Sequence, residues 1–97
     1  MRNYEAMFIF HPELKDDQLE KEVTWVEEFI KNNGADSIRH QFLGKKVLAY
    51  PVEKQNEGFY VNYEFKIAPN KIAEIREALK HRGNILRFMI LLKEKKR

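Results

Sequence analysis

A β-strand with one apolar face is encoded by residues 59–67, which read Phe59-Tyr60-Val61-Asn62-Tyr63-Glu64-Phe65-Lys66-Ile67. The odd-numbered positions are aromatic or β-branched, and the even-numbered positions are mostly polar. Because successive side chains of a strand point to opposite sides, this alternation predicts a strand with one face in the core. The preceding segment, Lys54 to Gly58, has a turn-forming composition and predicts a turn.

A second, longer strand is predicted before that turn, over residues 36–53, with its clearest signal from Val47 to Val52. Gly44 is the position where we expect this strand to bend. Pro51 lacks a backbone N–H and removes one ladder hydrogen bond, which favours the edge of a sheet or a bulge. Two strands joined by a short turn predict a hairpin.

The first forty residues predict a strand followed by a helix. Residues 3–10 are rich in aromatics and end at His11-Pro12, which favours a strand whose even-numbered side chains share one face. The next segment carries an apolar stripe at helical spacing, formed by Leu19, Val23, Val26 and Ile30. We expect Asp16 or Asp17 to cap this helix and Gly34 to end it in the left-handed conformation.

The last thirty residues predict a helix followed by a strand. Ile72, Ile75 and Leu79 form the stripe of a second helix, which Asn70 is expected to cap and Gly83 to end. Residues 85–93 predict the fourth strand.

The resulting order, β-α-β-β-α-β, predicts an α+β, ferredoxin-like fold: a four-stranded antiparallel sheet with two helices on one face. Right-handed crossovers then pair the first and third strands in the centre. The other sheet face stays open, and there we expect Met7, Ile9, Arg87, Met89 and Leu91. An exposed apolar strip of this kind indicates a partner, unless loops or a second copy screen it.

Length and charge indicate one domain, residues 1–97, with a polyanionic partner for one surface. Residues 1–40 carry five Lys/Arg against nine Asp/Glu, a net −4, and residues 41–97 carry thirteen against six, a net +7. An ordinary lysine-rich surface would also account for this charge. The absence of cysteine suits a reducing cytosol, and neither a signal peptide nor a membrane span is indicated.

Catalytic and metal chemistry finds little support in the residues. His11, His40 and His81 have no metal-ligand spacing, Ser37 is the single serine, and four glycines form no phosphate-binding motif. We therefore expect no enzyme, metal or cofactor. One alternative is a small-molecule-binding or acyl-phosphate-hydrolysing domain of this fold, although His11 to Leu14 lack the glycine-rich loop it needs. Another is a homo-oligomer joined through the second strand.

Basic residues instead favour binding of RNA. Arg2 precedes Tyr4, Lys45 and Lys46 precede Tyr50 and Lys54, and Arg82 and Arg87 bracket the start of the fourth strand. Because the first and fourth strands are neighbours, we expect Arg2, Arg82 and Arg87 to form one patch. Tyr60 alone offers a ring on the open face of the central strands, which favours backbone and shape recognition over base stacking.

Several segments resemble the bacterial small-subunit ribosomal protein six family. They are Met1-Arg2-Asn3-Tyr4-Glu5, Leu43-Gly44-Lys45-Lys46-Val47-Leu48-Ala49-Tyr50-Pro51-Val52, Gly58-Phe59-Tyr60-Val61 and Asn84-Ile85-Leu86-Arg87-Phe88-Met89-Ile90. The resemblance covers nearly the whole chain. It implies a ferredoxin-like monomer in the platform of the small subunit, bound to central-domain 16S ribosomal RNA together with small-subunit ribosomal protein eighteen.

The resemblance also implies roles for individual residues. Arg2, Tyr4, Arg82, Arg87 and Met89 would lie at or near RNA, and Lys45, Lys46, Tyr50 and Lys54 near the protein partner or RNA. Lys93 opens a short basic tail, residues 93–97, which is either a further RNA contact or a solvated end.

Overall fold

Four strands and two helices follow one another in the predicted order in a computed structural model, which describes residues 1–93. The predicted basic tail lies, apart from Lys93, outside the described residues. A 3₁₀ turn, Pro69–Lys71, precedes the second helix. The elements are β1 (Arg2–Phe10), α1 (Asp16–Asn32), β2 (Asp36–Val52), β3 (Gln55–Ile67), α2 (Ile72–Leu79) and β4 (Ile85–Leu92).

The four strands form one antiparallel sheet in the order β2-β3-β1-β4, with β1 and β3 in the centre as predicted. The β1–β3 pairing runs from Arg2 opposite Ile67 to Phe10 opposite Phe59. On its other side β1 pairs with β4, where Met7 lies opposite Met89 and Ile9 opposite Arg87. Each helix therefore connects two strands that are consecutive in the chain but separated in the sheet by one other strand, as in the ferredoxin-like arrangement.

The core lies between the helices and one face of the sheet. Ala6, Phe8 and Phe10 of β1 are fully buried, as are Val61, Tyr63 and Ile67 of β3. They join the predicted stripes of both helices in a single cluster, so those stripe assignments are confirmed. The Tyr63 hydroxyl donates a 2.8 Å hydrogen bond to the carbonyl oxygen of Val23. Burial raises the pKa of that hydroxyl far above its ordinary value.

Three helix boundaries differ from the prediction. Lys15 occupies the N-cap of α1, and its backbone N–H donates to Gln18 Oε1 at 2.9 Å. Asp16 and Asp17 therefore lie in the first turn, where a carboxylate favours the helix dipole without capping. Asn70 lies within the 3₁₀ turn, so it does not cap α2, and α2 ends at Leu79, four residues before Gly83.

The β2–β3 turn is also displaced from its predicted position. Val52 pairs with Gln55, so the turn consists of Glu53 and Lys54, both with positive φ (49° and 69°), and β3 begins within the predicted turn. Both central residues of a two-residue I′ hairpin take such values, and glycine or asparagine usually supplies them. The predicted irregularity at Gly44 is confirmed by its φ of +96° and by a register shift in the β2–β3 ladder.

Candidate protein and RNA interface

The face of the sheet opposite the helices is not covered by a helix within residues 1–93, and the side chains of β1 and β4 that point to this side are partly or largely exposed. Met89 and Leu91 of β4 are 52% and 54% exposed, and Met7 and Ile9 of β1 are partly exposed. The pairing register brings Met7 beside Met89 and Ile9 beside Arg87. The five residues predicted for the open face therefore share it, and its apolar character is confirmed.

One end of this open face is covered by the distal hairpin, which comprises residues 47–57. β2 is an edge strand that pairs with β3, yet Leu48 and Tyr50 line a groove of about 280 Å³ together with Met7, Ile9 and Met89. Such a groove requires the distal hairpin to bend over the sheet, and Leu48 is 8% exposed as a result.

A single polar contact joins this hairpin to β4. Arg87 Nη1 donates a 2.6 Å hydrogen bond to the hydroxyl of Tyr50, and the guanidinium carbon lies 5.5 Å from the centroid of the Tyr50 ring. Because the acceptor is a neutral phenol, the positive charge of Arg87 is not neutralised there.

The opposite end of the open face is polar. A cleft of about 420 Å³ is lined there by residues that include Asn3, Ser37, Arg39, Glu64 and Lys93. The Glu64 carboxylate accepts hydrogen bonds from Lys93 Nζ and from Arg39 Nη2, both at 2.7 Å. These hydrogen bonds, from Lys93 and then Arg39, hold the pKa of Glu64 below its ordinary value of 4.5.

The predicted site residues separate into groups. At the hairpin end, the contact between predicted site residues within residues 1–93 is that of Tyr50 with Arg87. Lys46 and Lys54 lie in or beside the same hairpin and are exposed, whereas Lys45, opposite Phe59, lies on the helix side of the sheet. Arg2 and Lys93 lie at the other end of the sheet, with Arg2, opposite Ile67, on the helix side and Lys93 against Glu64 on the open side. Met89 lies between the two ends. Arg2 is seven residues along β1 from Ile9, the neighbour of Arg87, which is roughly 24 Å at strand rise. The prediction of one Arg2, Arg82 and Arg87 patch is therefore wrong.

Arg82 belongs to the helix side of the molecule. Its Nη2 donates to both carboxylate oxygens of Glu22, at 2.9 and 3.1 Å, and its guanidinium lies 3.7 Å from the centroid of the Trp25 ring. Asn84 donates a third hydrogen bond to Glu22 at 2.9 Å. This cluster ties the α2–β4 connection to α1, so the Arg82 charge is already paired within the fold.

Tyr4 belongs to the core and does not offer its ring to a ligand. Its side chain is 9% exposed and stacks on Phe65, with the ring centroids 6.1 Å apart. The expectation that Tyr4 lies at an RNA surface is corrected accordingly, because even-numbered residues of β1 face the helices.

Sequence reasoning missed Glu22 and Leu48. Glu22 lies three residues after Leu19 and one before Val23, which puts it beside the apolar stripe of α1. That spacing was the signal that could have identified Glu22 as a buried acid in need of a cationic partner. No local signal pointed to the burial of Leu48, because it depends on how far the hairpin bends.

Within residues 1–93, no three His, Cys, Asp or Glu side chains come together as a metal site. The histidines have separate neighbours: His40 Nδ1 lies 2.6 Å from Glu27, and His81 Nε2 lies 3.9 Å from Glu77. None of the helices in the described part of the chain is both long and apolar enough to cross a membrane.

Proteins of one family match this sequence over nearly the whole chain. Residues 3–91 match the family model described as ribosomal protein S6. The small ribosomal subunit protein bS6 of Dictyoglomus turgidum is 37% identical over 95 residues, which are 98% of each chain. That of Thermosynechococcus vestitus is 34% identical over 93 residues, 96% of this chain and 82% of the relative.

A solved structure supports the same assignment. The crystal structure of 30S ribosomal protein S6 from Thermotoga maritima superposes with a TM-score of 0.89 at 26% identity, covering 95% of this chain and 87% of that one. These relatives bear the name of a ribosomal protein and not of an enzyme, in agreement with the predicted non-catalytic function. The ferredoxin-like chain described here belongs to the ribosomal protein S6 family of the bacterial small ribosomal subunit.

Proposed function

We propose that this chain is a structural component of the cytoplasmic ribosome that binds central-domain 16S ribosomal RNA together with small-subunit ribosomal protein eighteen. The observation that carries the proposal is the open sheet face, which is apolar along β1 and β4 and basic at the hairpin end. A rigid sheet with two such chemistries suits two partners at once, because apolar surface favours protein and cationic surface favours phosphate.

Phosphate contacts are assigned to the hairpin end. Lys46 and Lys54 are exposed and have no ion pair among residues 1–93, and Lys45 lies 3.6 Å from Glu57 across an exposed pair. Arg87 donates only to the neutral Tyr50 hydroxyl among the described side chains. Cations without acidic partners are available to neutralise phosphates and release counterions. Arg2, which has no ion pair among residues 1–93, would form a second, separate contact at the other end, whereas Lys93 is already paired with Glu64.

Protein contacts are assigned to the apolar strip of Met7, Met89 and Leu91. The neighbouring carboxylate of Glu5, which has no ion pair among residues 1–93, would repel a phosphate chain that lay across this strip. Partly exposed methionine and leucine side chains gain free energy when a partner removes them from water.

Filter-binding titration of a central-domain 16S RNA fragment tests the proposal, with and without small-subunit ribosomal protein eighteen, at two salt concentrations. We expect tight binding only with the protein present, weakened by added salt. Absence of binding under every condition, with the added protein shown to be folded, would contradict the proposed function.

Paired lysine variants test the assignment of the hairpin end. Replacing both Lys46 and Lys54 by alanine should weaken RNA binding roughly tenfold and lower the salt slope by about 2. The matched control replaces Lys21 and Lys31, two exposed lysines of α1, and carries the same change in net charge. Equal losses from both double variants would mean that net charge, and not the hairpin end, is recognised.

Arg87→Ala provides a single-residue test at the same end. We expect a loss of about 1–2 kcal/mol in RNA binding and a lower salt slope, because one phosphate contact is removed. Tyr50→Phe is its control, since it removes the acceptor hydroxyl and leaves the guanidinium in place. An unchanged affinity and slope for Arg87→Ala would remove Arg87 from the site.

A further inference from the structure

Two carboxylates lie directly opposite each other on the open face, and only one of them is neutralised. Glu5 of β1 pairs in register with Glu64 of β3, an arrangement that is unfavourable when both charges are unpaired. Arg39 and Lys93 each contact Glu64 at 2.7 Å. Glu5, by contrast, has no Lys, Arg or His nitrogen within 4.0 Å among residues 1–93.

The contact that Glu5 does make is to a neutral amide. Asn62 Nδ2 donates to Glu5 Oε2 at 3.0 Å. The Oδ1 atom of the same Asn62 side chain is buried and has no hydrogen-bond partner in the described part of the chain. A half-buried carboxylate and an unsatisfied amide oxygen therefore lie side by side, and both accept hydrogen bonds. A cationic donor from a partner would satisfy the carboxylate, which is partly exposed.

The surroundings of Glu5 are those of a protein interface. Leu91 lies opposite Glu5 on β4, and Met89 lies two residues further along the same strand, each with about half of its surface exposed. An acceptor site beside apolar side chains excludes RNA phosphate and fits a side chain with a long apolar stem and a cationic end. Arginine fits better than lysine, because its planar fork can serve two acceptors at once.

We infer that Glu5, oriented by Asn62, receives an arginine side chain from the protein partner, whose apolar neighbours cover Met89 and Leu91. This inference rests on the proposed function, since it identifies the recognition chemistry at the protein-facing part of the same surface. Glu5 would then select a basic partner, while the hairpin end contacts RNA.

Titration calorimetry with small-subunit ribosomal protein eighteen tests the inference at low and moderate salt. Glu5→Gln keeps the shape and removes the charge, and we expect at least tenfold weaker association with a smaller salt dependence. The matched control is Glu20→Gln on the exposed side of α1, which should associate as the original chain does. Thermal unfolding of each variant checks folding, and Glu5→Asp, which retains the charge, should lose less affinity than Glu5→Gln.

The possible outcomes separate this inference from the proposed function. Glu5→Gln binding within twofold of the original chain, while Met89→Ser weakens binding, would mean that the face docks the partner without the predicted charge contact, and the inference would be overturned. If the original chain binds RNA but never the protein, the inference and the partner half of the proposed function both fall. Loss of both interactions would remove the proposed function as a whole.

Discussion

The two faces of β1 have opposite characters although they alternate residue by residue. Ala6, Phe8 and Phe10 face the helices and are fully buried, whereas Met7 and Ile9 face the open side and remain partly exposed. On the buried face, packing partners come from within the chain and are complete. On the open face, apolar area, one carboxylate and several cations lack partners among the described residues. The buried face therefore determines stability, and the open face is available for binding.

Truncation at neighbouring positions of β1 should give the largest contrast between the two faces. Phe8→Ala should lower the free energy of unfolding by about 3–5 kcal/mol, because the ring packs against Phe10, Tyr63 and Phe88 in the core. Met7→Ala on the open face should cost about 1 kcal/mol or less. Urea denaturation of both variants measures the difference, and similar losses would show that the open face is packed as tightly as the core.

A glycine pair tests whether the Ile9 end of the open face is already filled by the chain itself. A Cβ at Gly58 would collide with the Ile9 side chain and lie 3.1 Å from the carbonyl oxygen of Phe10, while nothing lies within 4 Å of a Cβ at Gly83. Gly58→Ala should therefore destabilise the protein by about 2 kcal/mol. Gly83→Ala should change stability by less than about 0.5 kcal/mol. A melting temperature lower for Gly83→Ala than for Gly58→Ala would contradict this packing.

Two arginines separate stability from binding. Arg82→Ala should cost about 1.5 kcal/mol of stability, because it leaves the Glu22 carboxylate, 8% exposed, with only its Asn84 partner. It should leave RNA affinity unchanged. Arg2→Ala should do the opposite, with little effect on unfolding and a measurable loss of RNA binding. Filter binding and urea denaturation on the same two preparations distinguish them, and an RNA-binding defect confined to Arg82→Ala would reverse the assignment.

The smallest effect concerns Glu64 and depends on pH. Its pKa is lower in the folded chain than its ordinary value of 4.5, so its ion pairs stabilise the protein above that pH and the contribution disappears as acidification protonates the folded carboxyl. Because the ion pairs of Glu64 with Arg39 and with Lys93 lie at the surface, Glu64→Gln should lower the free energy of unfolding by less than about 1 kcal/mol at pH 7. Denaturation curves at pH 7 and pH 3 should show the difference shrinking with acidification. A difference that grew at low pH would have the wrong sign for this ion pair.

Local pattern was sufficient to predict the elements of this fold but not their exact boundaries. The alternation in β1 and β3 and the stripes of α1 and α2 identified the core residues, since a period of two or of 3.6 fixes which side chains share a face. The β2–β3 turn was misplaced because Glu53 and Lys54 are poor residues for positive φ. There the register of the flanking strands, with Val52 opposite Gln55, overrides local preference.

The sequence predicted which residues lie on the open face more successfully than which charged residues lie close to one another. The open face with Met7, Ile9, Met89 and Leu91 followed from strand order and alternation. The predicted patch of Arg2, Arg82 and Arg87 was wrong, because β1 and β4 are antiparallel and their starting residues lie at opposite ends of the pair. The partner of a long cationic side chain, by contrast, cannot be read from its position in the chain. Neither the stack of Arg82 on Trp25 nor the contact of Arg87 with Tyr50 has a local signal.

The sequence by itself determined the order of elements, the core face of each and the presence of an uncovered sheet face, because these depend on short-range periodicity and on chain connectivity. Only the tertiary structure decided which charges remain unpaired. The bend of the distal hairpin over the sheet and the pairing of Glu22 with Arg82 and of Glu64 with Arg39 and Lys93 join residues 25 or more positions apart. Contacts at that separation arise when packed elements meet, and they leave Glu5 and the hairpin lysines available for partners.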